Sequence, residues 1–126
     1  MRQITDSDLA YLNAAESGAM GFIGWGQWQL TLNFDWISIQ LSCLAELETD
    51  GRRKVIECPF TSELPLGGLF GTTIKSFSVE PGNRLVILLE SGIRLRILPD
   101  PDIQEEQCVV TVHHRDEKGG SGIVVI

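Results

Sequence analysis

From Arg84 to Ile97 the sequence reads RLVILLESGIRLRI, in which Leu85, Ile87 and Leu89 alternate with other residues, the pattern stops at Glu90-Ser91-Gly92, and alternation resumes at Ile93, Leu95 and Ile97. Successive side chains on a strand point to opposite faces, so each run sets one apolar row against a core. A break containing glycine accommodates the positive φ of a tight reversal. The stretch therefore predicts a β-hairpin, and the rest of the chain must supply what covers its apolar face.

A second hairpin with the same period precedes it. Trp28–Phe34 carries Leu30, Leu32 and Phe34 between polar neighbours, Asp35-Trp36 interrupts, and Ile37, Ile39 and Leu41 continue the alternation. Laying Phe22–Leu41 over Phe77–Ile97 matches Leu30, Leu32 and Phe34 to Leu85, Ile87 and Leu89, and Ile37, Ile39 and Leu41 to Ile93, Leu95 and Ile97, with one inserted residue at Gly92. This predicts two pseudo-repeated three-stranded meanders, in halves of about 18–58 and 71–112. The fold class is thus α+β and mostly antiparallel β, closing as a curved sheet, a sandwich or a half-barrel.

The remaining segments fit around these meanders. Residues 6–16 read as a short helix, with Asp6 or Ser7 to cap it, Leu9, Leu12 and Tyr11 on an apolar side, and Gly18 to end it. The charged stretch 46–54, with its Asp50-Gly51 turn, predicts an exposed hairpin tip that returns through Val55–Cys58 until Pro59. A short helix is expected near 62–70, where glycine and proline forbid a longer one. Thr72–Glu80 reads as a strand whose apolar phase shifts after Ile74, the mark of a bulge or a change of face. Pro99-Asp100-Pro101-Asp102 and Glu105-Glu106 form an acidic loop, Cys108–Val112 a strand, His113–Gly122 a polar turn and Ile123–Ile126 a last strand.

A chain of 126 residues fits one domain with a real core, here 1–126. Ten Lys and Arg against seventeen Asp and Glu leave a net charge of −7. That balance argues against direct nucleic-acid or anionic-membrane binding; it would attract a basic partner, although on charge alone an acidic surface that keeps the protein in solution is the commoner reading. Cys43, Cys58 and Cys108 are odd in number and lack CxxC spacing, so free thiols in a reducing cytoplasm are expected. The N-terminus lacks a signal-peptide pattern and no run reaches the ~18 apolar residues of a membrane span, so a soluble, cytoplasmic protein is expected.

Signals for catalysis are weak. The two histidines, His113 and His114, are adjacent, and adjacent residues of a strand face opposite ways. Cys108 with one histidine falls short of a closed zinc set. Asp100, Asp102, Glu105 and Glu106 lack the ligand spacing and central glycine of a calcium loop, and Gly67, Gly68 and Gly71 lack the Gly-Lys-Ser/Thr ending of a phosphate loop. No catalytic residue, cofactor or metal is expected. Trp25, Trp28 and Trp36 fall close together in sequence; core or meander-edge packing is the default, with at least one partly exposed and no single patch holding all three.

Three stretches carry a family resemblance: Trp28–Asp35 (WQLTLNFD), Leu69–Ile74 (LFGTTI) leading to Arg84–Ile97, and Pro99-Asp100-Pro101-Asp102. Across about residues 20–112 the layout resembles small, acidic, β-rich bacterial immunity proteins of polymorphic or contact-dependent growth-inhibition toxin systems. The resemblance implies binding and neutralisation of a cognate basic toxin domain, with a nuclease the expected class. It carries over no catalytic residue. The tryptophan-rich first meander and the 46–54 tip depart from the family pattern, so the resemblance implies no particular partner. The residues expected to hold the toxin are Glu46, Glu48, Asp50, Asp100, Asp102, Glu105 and Glu106, with Trp25 or Trp36 as an aromatic anchor. Two other readings remain open: an adaptor acting through edge-strand or homo-oligomer pairing, and a ligand binder or enzyme with a cavity between the meanders.

Overall fold

The computed structural model describes residues 2–14, 16–42, 44–56, 67–98, 110–115 and 121–125, and side chains within these except those of 67, 115, 121 and 123–125. The N-terminal helix α1 spans Asp6–Asn13. Its cap is Thr5, ahead of the expected Asp6 or Ser7: the Thr5 hydroxyl accepts from the Asp8 N–H at 3.2 Å and the Asp8 carboxylate accepts from the Thr5 N–H at 2.8 Å. That reciprocal pair satisfies two otherwise orphaned donors, which Asp6 could not do from inside the helix. Arg2 grips the same carboxylate at 2.7 and 2.8 Å. The guanidinium, as hydrogen-bond donor, holds the Asp8 carboxyl well below the usual carboxylate range.

Ten strands follow. They are β1 (Met20–Trp25), β2 (Leu30–Phe34), β3 (Ile37–Leu41), β4 (Leu44–Thr49), β5 (Arg52–Ile56), β6 (Ile74–Glu80), β7 (Arg84–Leu89), β8 (Arg94–Leu98), β9 (Val110–Arg115) and β10 (Ser121–Val125). All pairings are antiparallel, in two five-stranded sheets of order β1-β2-β3-β9-β10 and β5-β4-β8-β7-β6. The described strands therefore make neither one continuous curved sheet nor a closed barrel. β1-β2-β3 forms one meander and β6-β7-β8 the other, each in its own sheet. The chain changes sheets between β3 and β4 across residues 42 and 43 alone.

Both meanders turn their apolar rows into one shared core. Leu30, Leu32, Phe34, Ile37, Ile39 and Leu41 of the first sheet join Leu85, Ile87, Leu89, Leu95 and Ile97 of the second, all buried. Burying each such side chain contributes roughly 1.5–3 kcal/mol, so this double layer is the main stabilising feature of the fold. Leu12 and Ile4 bring the N-terminal segment into the same cluster. Two corner contacts tie the sheets further. Met20 exchanges backbone hydrogen bonds with Thr72 and Gly71 at 2.8 and 2.9 Å. The buried Ser17 accepts the Trp36 N–H on its carbonyl and the Ile74 N–H on its hydroxyl, both at 2.8 Å.

Several local expectations need correction. The helix ends at Asn13 rather than at 16. The stretch 46–54 is mostly strand, β4 and β5, with only Asp50 and Gly51 at the tip. Charge there marks a solvent-side row, not a loop. His113 and His114 lie within β9 rather than in a turn, and face opposite ways, His113 outward and His114 partly buried. Of the helix expected near 62–70, one 3-10 turn is described, Gly67–Leu69; residues 62–66 lie outside the described residues. The bulge in β6 is present between Ile74 and Ser76, and Gly92 takes the positive φ (90°) its turn requires.

Candidate interaction surface

The outer faces of the two sheets differ in chemistry. On the second sheet the outward rows of β4 and β8 are ionic, while β7 turns Val86 and Leu88 to the same face. Glu46 and Glu48 of β4 lie in register with Arg96 and Arg94 of β8 on one side and with Val55 and Arg53 of β5 on the other. At the centre is Arg96, whose side chain is 8% exposed. Its Nε donates to Glu80 Oε1 at 2.7 Å, while Nη1 donates to Glu48 and lies 3.6 Å from Glu46 Oε1. Arg53 closes the group, 3.4 Å from Glu48 and 3.8 Å from Glu46. Hydrogen bonding from Arg96 holds the Glu48 carboxyl below its ordinary range, and the carboxylates, Glu80 foremost, hold the Arg96 guanidinium above its own.

The first sheet presents the opposite surface. Between Glu16 and Asp35 the chain has no ionisable side chain, and that interval contains the whole of β1 and β2. The outward positions Thr31, Asn33, Ser38, Gln40 and Thr111 are polar but uncharged, and Gln29 donates to Gln40 across the sheet at 3.2 Å. Three aromatic side chains are exposed along β1 and its turn, Phe22 at 54%, Trp25 at 46% and Trp28 at 60%; Phe22, in register with Asn33, lies on this face, whereas Trp25, in register with the inward Leu30, lies on the other. Burial of large aromatics is the strongest single driver in sheets and interfaces, so three left open along one edge depart from ordinary surface composition.

The backbone of β1 is also open. Gly26 N–H donates to the Gln29 carbonyl at 2.8 Å where the hairpin closes. Hydrogen-bonded pairs alternate along an antiparallel ladder, so they fall at 26/29, 24/31 and 22/33, and the N–H and C=O groups of Ile23 and Trp25 point away from β2. Among the described residues, no strand pairs with that side of β1, whose only contact beyond β2 is the corner at Ala19 and Met20. Of the other three edges, β10 is likewise uncharged, while the two of the second sheet differ. β5 is lined by Arg52, Arg53 and Lys54. The edge of β6 is occupied by Asn13, which exchanges side-chain hydrogen bonds with Phe77, and by Ser17 on Ile74.

Of the expected partner residues, the structure brings Glu46 and Glu48 together, but around Arg96 and Arg53 rather than toward an open surface. Asp50 is exposed at the β4–β5 tip. Trp25 stands at one end of the β1–β2 hairpin, while Trp36 is half-buried beyond the other end of β2. Asp100, Asp102, Glu105 and Glu106 lie outside the described residues, as do the three cysteines. Sequence reasoning missed Phe22, Trp28 and Glu80. The uncharged interval between Glu16 and Asp35 was the signal for the first two; Glu80 has none, because its partner is two strands away.

A concavity of about 440 Å³ lies at the end of sheet 1 where β2 turns into β3, lined among others by Asn33, Asp35, Trp36, Ser38, Gln40 and His113. It opens at the sheet's end rather than between the meanders. Among the described residues, no group of three or more His, Cys, Asp or Glu could hold a metal ion, and no helix is long and apolar enough to cross a membrane. No protein-family model matches the chain, and no curated protein or solved structure is significantly similar to it.

Proposed function

We propose that this chain is a non-catalytic protein-binding domain that takes up its partner along β1. The observation that carries this reading is the open, uncharged edge strand with Phe22, Trp25 and Trp28 exposed beside it. Outward-facing backbone groups at Ile23 and Trp25 supply hydrogen bonds to an added strand, and the aromatic side chains supply the apolar area that makes such an addition hold. The test is amide exchange on isotope-labelled chain titrated with a candidate partner. Binding that slows exchange at Ile23 and Trp25, and is lost in Trp25→Asp, supports the reading. Binding that leaves both amides fast and survives the substitution refutes it.

A second reading concerns toxin immunity, in which the chain neutralises a cognate basic toxin domain by steric and electrostatic occlusion. The net charge of −7 and the exposed Asp50 at the β4–β5 tip favour it. Its electrostatics would fall to Asp50, Asp100, Asp102, Glu105 and Glu106, since Glu46 and Glu48 are already neutralised by Arg96 and Arg53. Co-expression with the toxin domain encoded immediately upstream tests it: a chain that neither binds nor protects sinks the idea. In either reading the two meanders are copies of one scaffold unit, a view supported by the inward placement of the matched Leu30, Leu32, Phe34 and Leu85, Ile87, Leu89 rows.

A further inference from the structure

We propose that the occupant of β1 is a second copy of the same chain, added antiparallel about a two-fold axis through Ile23. This rests on the reading of β1 as a strand-addition edge and commits it to one partner.

The register follows from the backbone. Ile23 directs both its N–H and its C=O away from β2, so two copies facing each other at Ile23 exchange both hydrogen bonds, as a hydrogen-bonded antiparallel pair requires. The same axis sets Phe22 opposite Gly24 of the other copy and Trp25 opposite Gly21. Each aromatic thus meets a residue with no Cβ. Within one copy the Phe22 ring already lies over its own Gly24, where a Cβ would be 2.7 Å from it, so on this face the two Phe22 rings meet each other across the seam. Gly21 has open space where its Cβ would be, which leaves room for the indole of Trp25 from the other copy. Aromatic side chains across from glycines are a recognised way of covering weak positions on edge strands.

Charge disfavours both edges of the second sheet and is compatible with pairing at β1, as it is at the uncharged β10. Two copies each carrying −7 repel wherever ionic surfaces meet, and a two-fold contact places every residue near its own image. β5 would set Arg52, Arg53 and Lys54 against themselves, and the β6 edge is taken by Asn13 and Ser17. β1 apposes no charge at all. The product joins the two first sheets into one of ten strands, with Ile23, which already packs against the core, at its seam.

The experiment combines sedimentation equilibrium with amide exchange on the full chain. Expected is a concentration-dependent mass that approaches twice 13.9 kDa, with slow exchange at Ile23 and Trp25 in the dimer. In Phe22→Asp the mass halves and both amides exchange fast. Phe22 is 54% exposed, so the fold survives this change, and unaltered circular dichroism verifies that; Trp25→Asp provides a second, independent disruption. A wild-type chain that stays at 13.9 kDa at every concentration overturns the proposal, as does a dimer that persists in both variants. A monomer that binds another protein through Ile23 and Trp25 overturns the self-pairing while leaving the strand-addition reading intact; a monomer whose β1 amides respond to no partner removes both.

Discussion

The side chain of Asn13 is bonded to the backbone of Phe77 as a neighbouring strand would be: its amide donates to the Phe77 carbonyl at 2.9 Å and its carbonyl accepts the Phe77 N–H at 2.8 Å. One residue thereby satisfies both outward groups of Phe77 on an edge strand and fixes the end of α1 to β6. Asn83 repeats the device in the β6–β7 turn, accepting from the Ile4 N–H at 2.8 Å and donating to the Arg2 carbonyl at 2.9 Å. The N-terminal segment thus serves as a cover for one side of the second sheet, which explains why β6 is closed while β1 is not.

Replacing Asn13 by Ala removes two hydrogen bonds and leaves the Phe77 groups to water or to each other's neighbours. The expected loss is about 1–3 kcal/mol in urea unfolding. Asn13→Asp is the sharper probe, because it retains the acceptor for the Phe77 N–H and turns the donor into a second acceptor facing a carbonyl. At neutral pH it is expected to be at least as destabilising as Asn13→Ala, with part of the loss recovered in acid as the carboxyl protonates.

Arg96 makes a separate prediction. Its side chain lies among Glu46, Glu48 and Glu80, and Arg53 alone cannot balance three carboxylates. Arg96→Gln is expected to cost about 2 kcal/mol, less than the loss of one partner from a fully buried pair because the glutamates keep some contact with water. Replacing Glu80 by Gln as well restores part of that stability. A double-mutant cycle over Arg96 and Glu80 that shows simple additivity would contradict the network.

The pH dependence follows from the same contacts. Asp8 and Glu48 both have folded-state carboxyls depressed by hydrogen bonds from arginine, Arg2 and Arg96 respectively. Depressed acids stabilise the fold fully above their unfolded values, near 4, and that stabilisation is lost as pH falls toward the folded ones. Unfolding free energy is therefore expected to be flat near neutrality and to decline below about pH 4. In Arg2→Ala the largest part of the Asp8 contribution is lost, leaving that of its hydrogen bonds with Thr5, so the acid limb becomes shallower; urea midpoints measured across this range in both proteins decide it.

How far the fold could be read in advance depends on where the deciding contact lies. The Arg84–Ile97 hairpin was legible because period-two alternation and a glycine at the turn are local facts, and the structure places Leu85, Ile87, Leu89, Leu95 and Ile97 inward. The division into two sheets was not, because β3 runs into β4 across two residues with no turn signal. Glu46 and Glu48 read as a solvated tip since the arginine that neutralises them comes from β8. His114 read as turn because nothing local indicates that Tyr11 of α1 packs on it, ring to ring at 5.7 Å and 82°. The tryptophans were harder still: aromatic residues on a strand are core by default, and Trp25 is open because β1 is an edge, Trp28 because it lies in the β1–β2 turn.

Gly18 provides a test of how tightly the corner between the sheets is built. It has φ +72°, and a Cβ there would lie 2.5 Å from Cβ of Asp35 and 2.9 Å from its Oδ2. Gly92 has φ +90° and open space around the same position. Alanine at Gly92 therefore incurs the left-handed backbone alone, about 1 kcal/mol. Alanine at Gly18 incurs that and also forces Asp35 away, beside the Ser17 carbonyl that accepts the Trp36 N–H. The Asp35 contact is at Cβ, next to the backbone, so the clash cannot be relieved by rotating a side-chain tip, and the loss is expected to reach about 2–4 kcal/mol. Equal thermal shifts for Gly18→Ala and Gly92→Ala would mean that the β2–β3 turn yields freely, and that Ser17 does not hold the two sheets in register.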